Sequence, residues 1–155
     1  MKKNAKEKAL SILERKDQTE YQMTKALKDS AYSEEEICET IEWLKELGYI
    51  DDIDYANRYL EILITKGRGR IRIKQEMRKK GLSGSEIDAI IDDGFSENQE
   101  HEKALAIARK LVDSLPEDIE KQQLMRKISS KLVTQGYNFD IINSVINQVI
   151  KSERD

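Results

Sequence analysis

Eight Lys and Arg side chains crowd into residues 66–80, with Glu76 the only carboxylate among them. Lys66, Arg68, Arg70, Arg72, Lys74, Arg78 and Lys79, with Gln75 between them, are the groups best suited to holding an anion. Guanidinium groups act as planar forks toward carboxylate or phosphate, and ammonium groups act as compact point charges. The segment sums to +7, whereas residues 51–65 sum to −3 and residues 81–100 to −6 with no Lys or Arg at all. The whole-chain value of −3 hides this alternation. Three readings of the block stand open: a solvated charged face, a surface for phosphate, or a surface for an acidic protein groove.

Other reactive residues converge less. Asp51, Asp52 and Asp54 are carboxylates of the kind that hold hard cations, but no further ligand spacing follows and helix capping accounts for them. His101 is the only histidine and has no nucleophile or carboxylate at a motif spacing. Cys38, the only cysteine, excludes an internal disulfide, suits the cytoplasm and is expected to be buried beside Ile37. Trp43 is expected to pack between neighbouring units. No phosphate-cradling Gly motif and no convergent acid, base and nucleophile occur, so neither an enzyme nor a bound cofactor or metal is expected. The N-terminus lacks the apolar core of a signal peptide, and no run of apolar residues is long enough for a membrane span.

The elements that must position the block are helical. Among 155 residues, 37% are charged, Pro occurs once, and apolar residues recur at helical spacing nearly end to end. Thr19 with Gln22, Ser33 with Glu36, Ser83 with Glu86, and Ser96 with Gln99 have the spacing of capping boxes. Asp51 and Asn138 suit N-caps, and Ile50 with Tyr55 suits a hydrophobic staple. Nine helices are expected, with Gly48, Gly81 and Gly136 as stops, Gly67 and Gly69 as a break, and the eighth helix at 118–135 beyond Pro116. In the basic helix, Ile73 and Met77 fall on one side and Arg72, Gln75, Arg78 and Lys79 on the other, with Ile71 beside them. Two glycines before it leave the backbone open, and a helix N-terminus adds a positive field.

The nine helices read as three copies of one unit. A shift of 50 residues and then of 55 aligns Met23, Ile73 and Ile128; Leu27, Met77 and Leu132; and Tyr32, Leu82 and Tyr137. Ile37, Ile87 and Ile142 align too, as do Ile41, Ile91 and Ile146. The expected fold is therefore all-α: three tandem three-helix repeats, over 1–48, 49–95 and 96–155, stacked into an elongated, curved array. The second helices of the three units sum to zero over 20–30, +5 over 70–80 and +3 over 125–135, so the middle copy is the one specialised for anions.

Gly48-Tyr49-Ile50-Asp51-Asp52, Tyr55-Ala56, Gly67-Arg68-Gly69 and Lys79-Lys80-Gly81 together resemble the signature of the RecX family, bacterial regulators of the RecA recombinase. The chain departs from the common family pattern at Arg70, where a proline often follows the second glycine. The resemblance implies a monomeric, non-enzymatic regulator that contacts RecA filaments on single-stranded DNA and restrains their ATPase, extension and strand exchange. Weak direct contact with DNA is also implied. A helix-turn-helix-like protein that acts on DNA directly, with residues 70–80 as the inserted helix, is the competing reading.

Overall fold

The computed structural model describes residues 2–154 and, among these, contains nine α-helices and no strand. Repeat one is α1 (Ala5–Arg15), α2 (Glu20–Asp29) and α3 (Glu34–Glu46). Repeat two is α4 (Asp52–Thr65), α5 (Arg70–Lys79) and α6 (Ser85–Gly94). Repeat three is α7 (Glu97–Asp113), α8 (Lys121–Gln135) and α9 (Phe139–Arg154). Extensive helix-on-helix packing stays within a repeat: α1, α2 and α3 contact one another, α4 holds α5 and α6, and α7, α8 and α9 form the third group.

The aligned apolar residues form the cores. Met23, Ile73 and Ile128 are fully buried, and so are Leu27, Met77 and Leu132. Tyr32, Leu82 and Tyr137 are buried, as are the Ile37 and Ile41 triplets of the third helices. Three separate clusters result, one per repeat. Each buried Ile, Leu or Met contributes roughly 1.5–3 kcal/mol, but a unit of this size buries too little surface to stand far above its conformational entropy. Stability therefore depends on the units being joined.

Local chemistry sets the ends of most helices. Thr19 with Gln22, Ser33 with Glu36, and Ser96 with Gln99 close reciprocal capping boxes. Asp51 accepts from the Asp54 N–H, and Asn138 from the Ile141 N–H. Ile50 lies in the core of repeat one while Tyr55 lies against that of repeat two, so the junction anchors both cores.

Several expectations are corrected. The Ser83–Glu86 box does not form, because α6 starts at Ser85 behind Gly84, whose positive φ of 99° sets the N-cap without a side-chain bond. α8 begins at Lys121, since residues 114–120 are spent on the turn around Pro116. Cys38 is exposed, because it lies one residue and hence about 100° around the helix from buried Ile37. Trp43 packs on the core of its own repeat, with the Lys6 ammonium 5.0 Å from its ring centre.

The repeats meet through helix ends. The second helices of repeats one and two each place their first turn on the last turn of the second helix in the next unit. Thr19 Oγ1 donates to the Lys80 carbonyl at 2.5 Å, and the Glu20 N–H donates to Asp52 Oδ1 at 2.9 Å. One repeat further on, the Gly69 N–H donates to the Gln135 carbonyl at 2.7 Å and the Ile71 N–H to the Gly136 carbonyl at 3.1 Å. Among the described residues no hydrogen bond or ion pair joins repeat one to repeat three. Hydrogen bonds and ion pairs thus join only neighbouring repeats, as in an array.

A single position records this docking. Ala31, Gly81 and Gly136 follow the second helices and have φ of 67°, 80° and 95°. A Cβ at Gly81 would overlap the Cβ of Tyr21, and one at Gly136 would overlap the Cβ of Arg72. Glycine is needed at both places for close approach as well as for backbone conformation. Among the described residues no second helix docks against Ala31, so a methyl fits, although the left-handed conformation costs a non-glycine residue about 1–2 kcal/mol. Glycine's extra entropy in the unfolded chain recovers about 0.5–1 kcal/mol of that difference. Ala31→Gly is therefore expected to stabilise the protein by roughly 0.5–1 kcal/mol, whereas Gly81→Ala should cost about 2–3 kcal/mol by forcing the joint apart. Urea melts of the two variants against the parent chain check both signs.

Candidate anion-binding surface

The basic segment runs from the end of α4 through α5. Ile73 and Met77 anchor one side of α5 in the core of repeat two. Gln75, Arg78 and Lys79 are exposed on the other, with Ile71 beside them. Arg70, Arg72 and Lys74 are only half exposed.

The structure splits the block in two. Its first half is committed to the neighbouring repeat. Arg68 donates to Gln135 Oε1 at 2.7 Å. Arg72 donates to the Thr134 carbonyl at 3.2 Å and to Gln135 Oε1 at 3.3 Å, so both arginines serve the C-terminal end of α8, where positive charge is favourable. Arg70 pairs with Asp92, and its Nε is buried without a partner. The second half, together with Lys66 at the very start, remains open. Lys79 reaches Glu76 at 3.4 Å, and Lys74 approaches Asp88 at 3.9 Å; such exposed pairs hold side chains weakly. Among the described residues Lys66 and Arg78 have no ion-pair partner. Lys80 lies 5.1 Å from the Tyr59 ring centre.

The acidic segment after the block explains its own placement. Asp88, Asp92 and Glu100 all return to α5. Glu100 is 2% exposed and accepts from the Arg70 N–H at 2.8 Å. The open helix N-terminus read from the sequence is thus already occupied by a carboxyl group, supplied by the protein itself. Burial raises the pKa of Glu100; the Arg70 N–H and guanidinium oppose this without cancelling it. Tyr137 donates from its hydroxyl to the Gly67 carbonyl at 2.9 Å, and burial raises its pKa as well. Gly69 is needed because a Cβ there would press on the Gly136 backbone. The Gly67-Arg68-Gly69 stretch is therefore built for contact with repeat three.

The three aspartates before the block each have a structural task. Asp51 caps α4, Asp54 pairs with Arg58 at 3.0 Å, and Asp52 holds the α2 N-terminus. Burial raises the Asp52 pKa, and the Glu20 N–H partly offsets this. His101 meets Ser144 Oγ at 3.0 Å within repeat three. Sequence reasoning passed over Glu100 and Gln135, and read Gly136 only as a helix stop, although these residues receive the basic segment. The helical register could have signalled Glu100, since its spacing of four and eight residues from Ala104 and Ala108 puts it on the inward side of α7.

Fold and surface together define a class: a tandem three-helix repeat protein with a cationic middle unit. The description "RecX, first three-helix domain" matches residues 5–44, and "RecX, second three-helix domain" matches residues 51–91. The chain belongs to the RecX regulatory protein family. It is 32% identical over 149 residues to the regulatory protein RecX of Clostridium botulinum (strain Alaska E43 / Type E3), covering 96% of this chain and 69% of that protein. It is 30% identical over 147 residues to that of Clostridioides difficile (strain 630), covering 94% and 68%. The crystal structure of RecX from Lactobacillus salivarius superposes with a TM-score of 0.80 at 26% identity, covering 93% of each chain.

The raised pKa of Glu100 has a defined sign. Its folded-state pKa lies above its unfolded value near 4.5, so its contribution to stability is full below that value. The contribution falls as pH rises through the folded pKa. Glu100→Gln keeps an acceptor for the Arg70 N–H and removes the buried titrating group; it should be neutral or slightly stabilising at pH 7 and flatten the pH dependence of Tm above pH 4.5. Glu100→Ala leaves that N–H unsatisfied and should cost about 1–3 kcal/mol. Thermal melts between pH 5 and 8 (a range set by the usual stability optimum) separate the two.

Proposed function

We propose that this protein binds RecA filaments assembled on single-stranded DNA and restrains their ATPase, extension and strand exchange. It works as a cytoplasmic monomer that bridges filament subunits. Its three similar units offer several modest contacts at once, which gives avidity without a deep pocket. Membership of the RecX regulatory protein family supports a regulatory role, and the resemblance carried by the sequence motifs supplies the partner. The observation that carries the reading is the open half of α5, where Gln75, Arg78 and Lys79 stand exposed on the middle repeat. No nucleotide hydrolysis by the chain itself is required.

Direct sequence reading of DNA fits less well. An inserted recognition helix presents its N-terminal residues to base edges. Here that end of α5 is covered by Gln135, Gly136 and Glu100. Contact with DNA is accordingly weak, and made through phosphates near the filament.

The test is RecA-filament ATPase at substoichiometric amounts of this protein. The parent chain should suppress hydrolysis. Arg78→Glu with Lys79→Glu should need about tenfold more protein for the same effect, with Tm unchanged because both side chains are exposed. Arg72→Glu is the contrasting variant, since it should lower Tm by removing a bond to the end of α8. Undiminished inhibition by the double variant would place the contact elsewhere.

A further inference from the structure

The clefts at the two joints serve as internal controls for each other. Each lies between the first helices of successive repeats. The cleft at the second joint, about 520 Å³, is lined by Glu61 and Ile64 of α4, by Gly94 and Phe95, and by the first turns of α7 with Glu102 and Lys103. The cleft at the first joint, about 550 Å³, is similar in size and different in chemistry. Aligning the N-caps of α4 and α7, Asp51 with Ser96, puts Tyr49 where the second joint has Gly94, and Asp54 where it has Gln99. The 50-residue shift puts Glu14 at the place of Ile64. Aromatic and acidic side chains are thus gathered at the first joint.

This cleft combines apolar lining with a surplus of carboxylates. Leu10, Leu13, Tyr49 and Tyr55 line it, and Tyr49 is 56% exposed. Glu14, Asp17, Asp51 and Asp54 line it too, against Arg58 alone. Lys16, near Tyr55, reduces that surplus without reversing it. Arg58 shows which group this chemistry holds. Its guanidinium lies 5.8 Å from the Tyr55 ring centre and reaches Asp17 at 2.9 Å and Asp54 at 3.0 Å. Tyr32, Trp43 and Tyr59 likewise each have a lysine over the ring. Asp51 is engaged in capping α4. Among the described residues no cation stands over Tyr49, and Glu14 has no ion-pair partner. A second ring and a second carboxylate therefore share the cleft without a cation of the chain between them.

We infer that the cleft takes an arginine from a basic segment of a protein partner, with the guanidinium on the Tyr49 ring and its fork toward Glu14. Arginine suits it better than lysine, because a planar, weakly hydrated cation can stack and pair at once. Its methylene stem finds apolar surface at Leu10 and Leu13. Nucleic acid is disfavoured, since phosphate would meet the carboxylate surplus. The inference stands apart from the proposed filament contact, in which this chain supplies the cations.

Fluorescence anisotropy with the whole chain tests this, using a short labelled peptide of alternating Arg and Leu and its counterpart with Lys for Arg. The parent chain should bind the Arg peptide about threefold more tightly than the Lys peptide. Glu14→Gln with Tyr49→Ser should weaken the Arg peptide about tenfold and remove the preference. Circular dichroism and Tm should not change, because both side chains are exposed. Glu61→Gln with Glu102→Gln takes more charge from the second-joint cleft and should leave binding within about twofold of the parent. No preference for Arg, or equal losses in the two double variants, would mean general attraction to an acidic surface and overturn the inference. An equal loss of single-stranded DNA binding in the Glu14→Gln, Tyr49→Ser variant would assign Tyr49 to base stacking and overturn it too. Concentration-dependent dimers of the parent chain that vanish in that variant would assign the cleft to a second copy of the chain and overturn it as well.

Discussion

Everything in this molecule depends on how one helix end is received by the next unit. An α-helix begins with backbone N–H groups that have no partner inside the helix. In α2 and α5 these groups become the connectors of the array. A carboxylate from the following repeat takes one of them: Asp52 for Glu20, Glu100 for Arg70. Close approach to a side-chain-free position does the rest, at Gly81 and at Gly136. The two joints are built by the same rule with different residues, and Asp52 and Glu100 do not even occupy equivalent places in their helices. Three small cores, none large enough to be secure alone, are thereby held in one order.

This joint also reinterprets the charged segment. Seen as composition, residues 66–80 are a uniform cationic strip. Seen in place, the strip has a structural end and an open end. Arg68, Arg70 and Arg72 are drawn onto α8, Asp92 and the shared backbone contacts, while Lys66, Gln75, Arg78 and Lys79 face outward. The two acidic stretches flanking the strip in sequence are consequences of the same arrangement. The second one folds back as Asp88, Asp92 and Glu100. Charge is thus balanced locally on the joint and left unbalanced only where solvent, or a partner, can reach it.

Much of the fold was legible because repetition makes its own alignment. Met23, Ile73 and Ile128 share one register, one residue class and complete burial, so a threefold comparison within one chain stood in for relatives. Capping boxes at Thr19, Ser33 and Ser96 were readable because their chemistry spans only three residues. Ser83 misled because Gly84 offered a competing helix start that needs no side chain. Cys38 misled because a small apolar residue next to the core stripe is not on it. The candidate surface was legible in location and not in allocation. Which arginines are spent on Gln135 and Thr134 depends on contacts spanning some 60 or more residues (62 for Arg72 to Thr134), and no local pattern encodes them.

Ala31 has a consequence for how such a scaffold can grow. The outer end of α2 carries a methyl group where the inner copies carry hydrogen, and the Lys2 ammonium reaches the Ala31 carbonyl at 3.4 Å while the Tyr32 hydroxyl holds the Lys3 carbonyl. Any additional module seated there by the same rule would collide with that methyl. A unit docked on this end of α2 by the rule used at Gly81 and Gly136 thus needs either a wider joint or glycine at position 31.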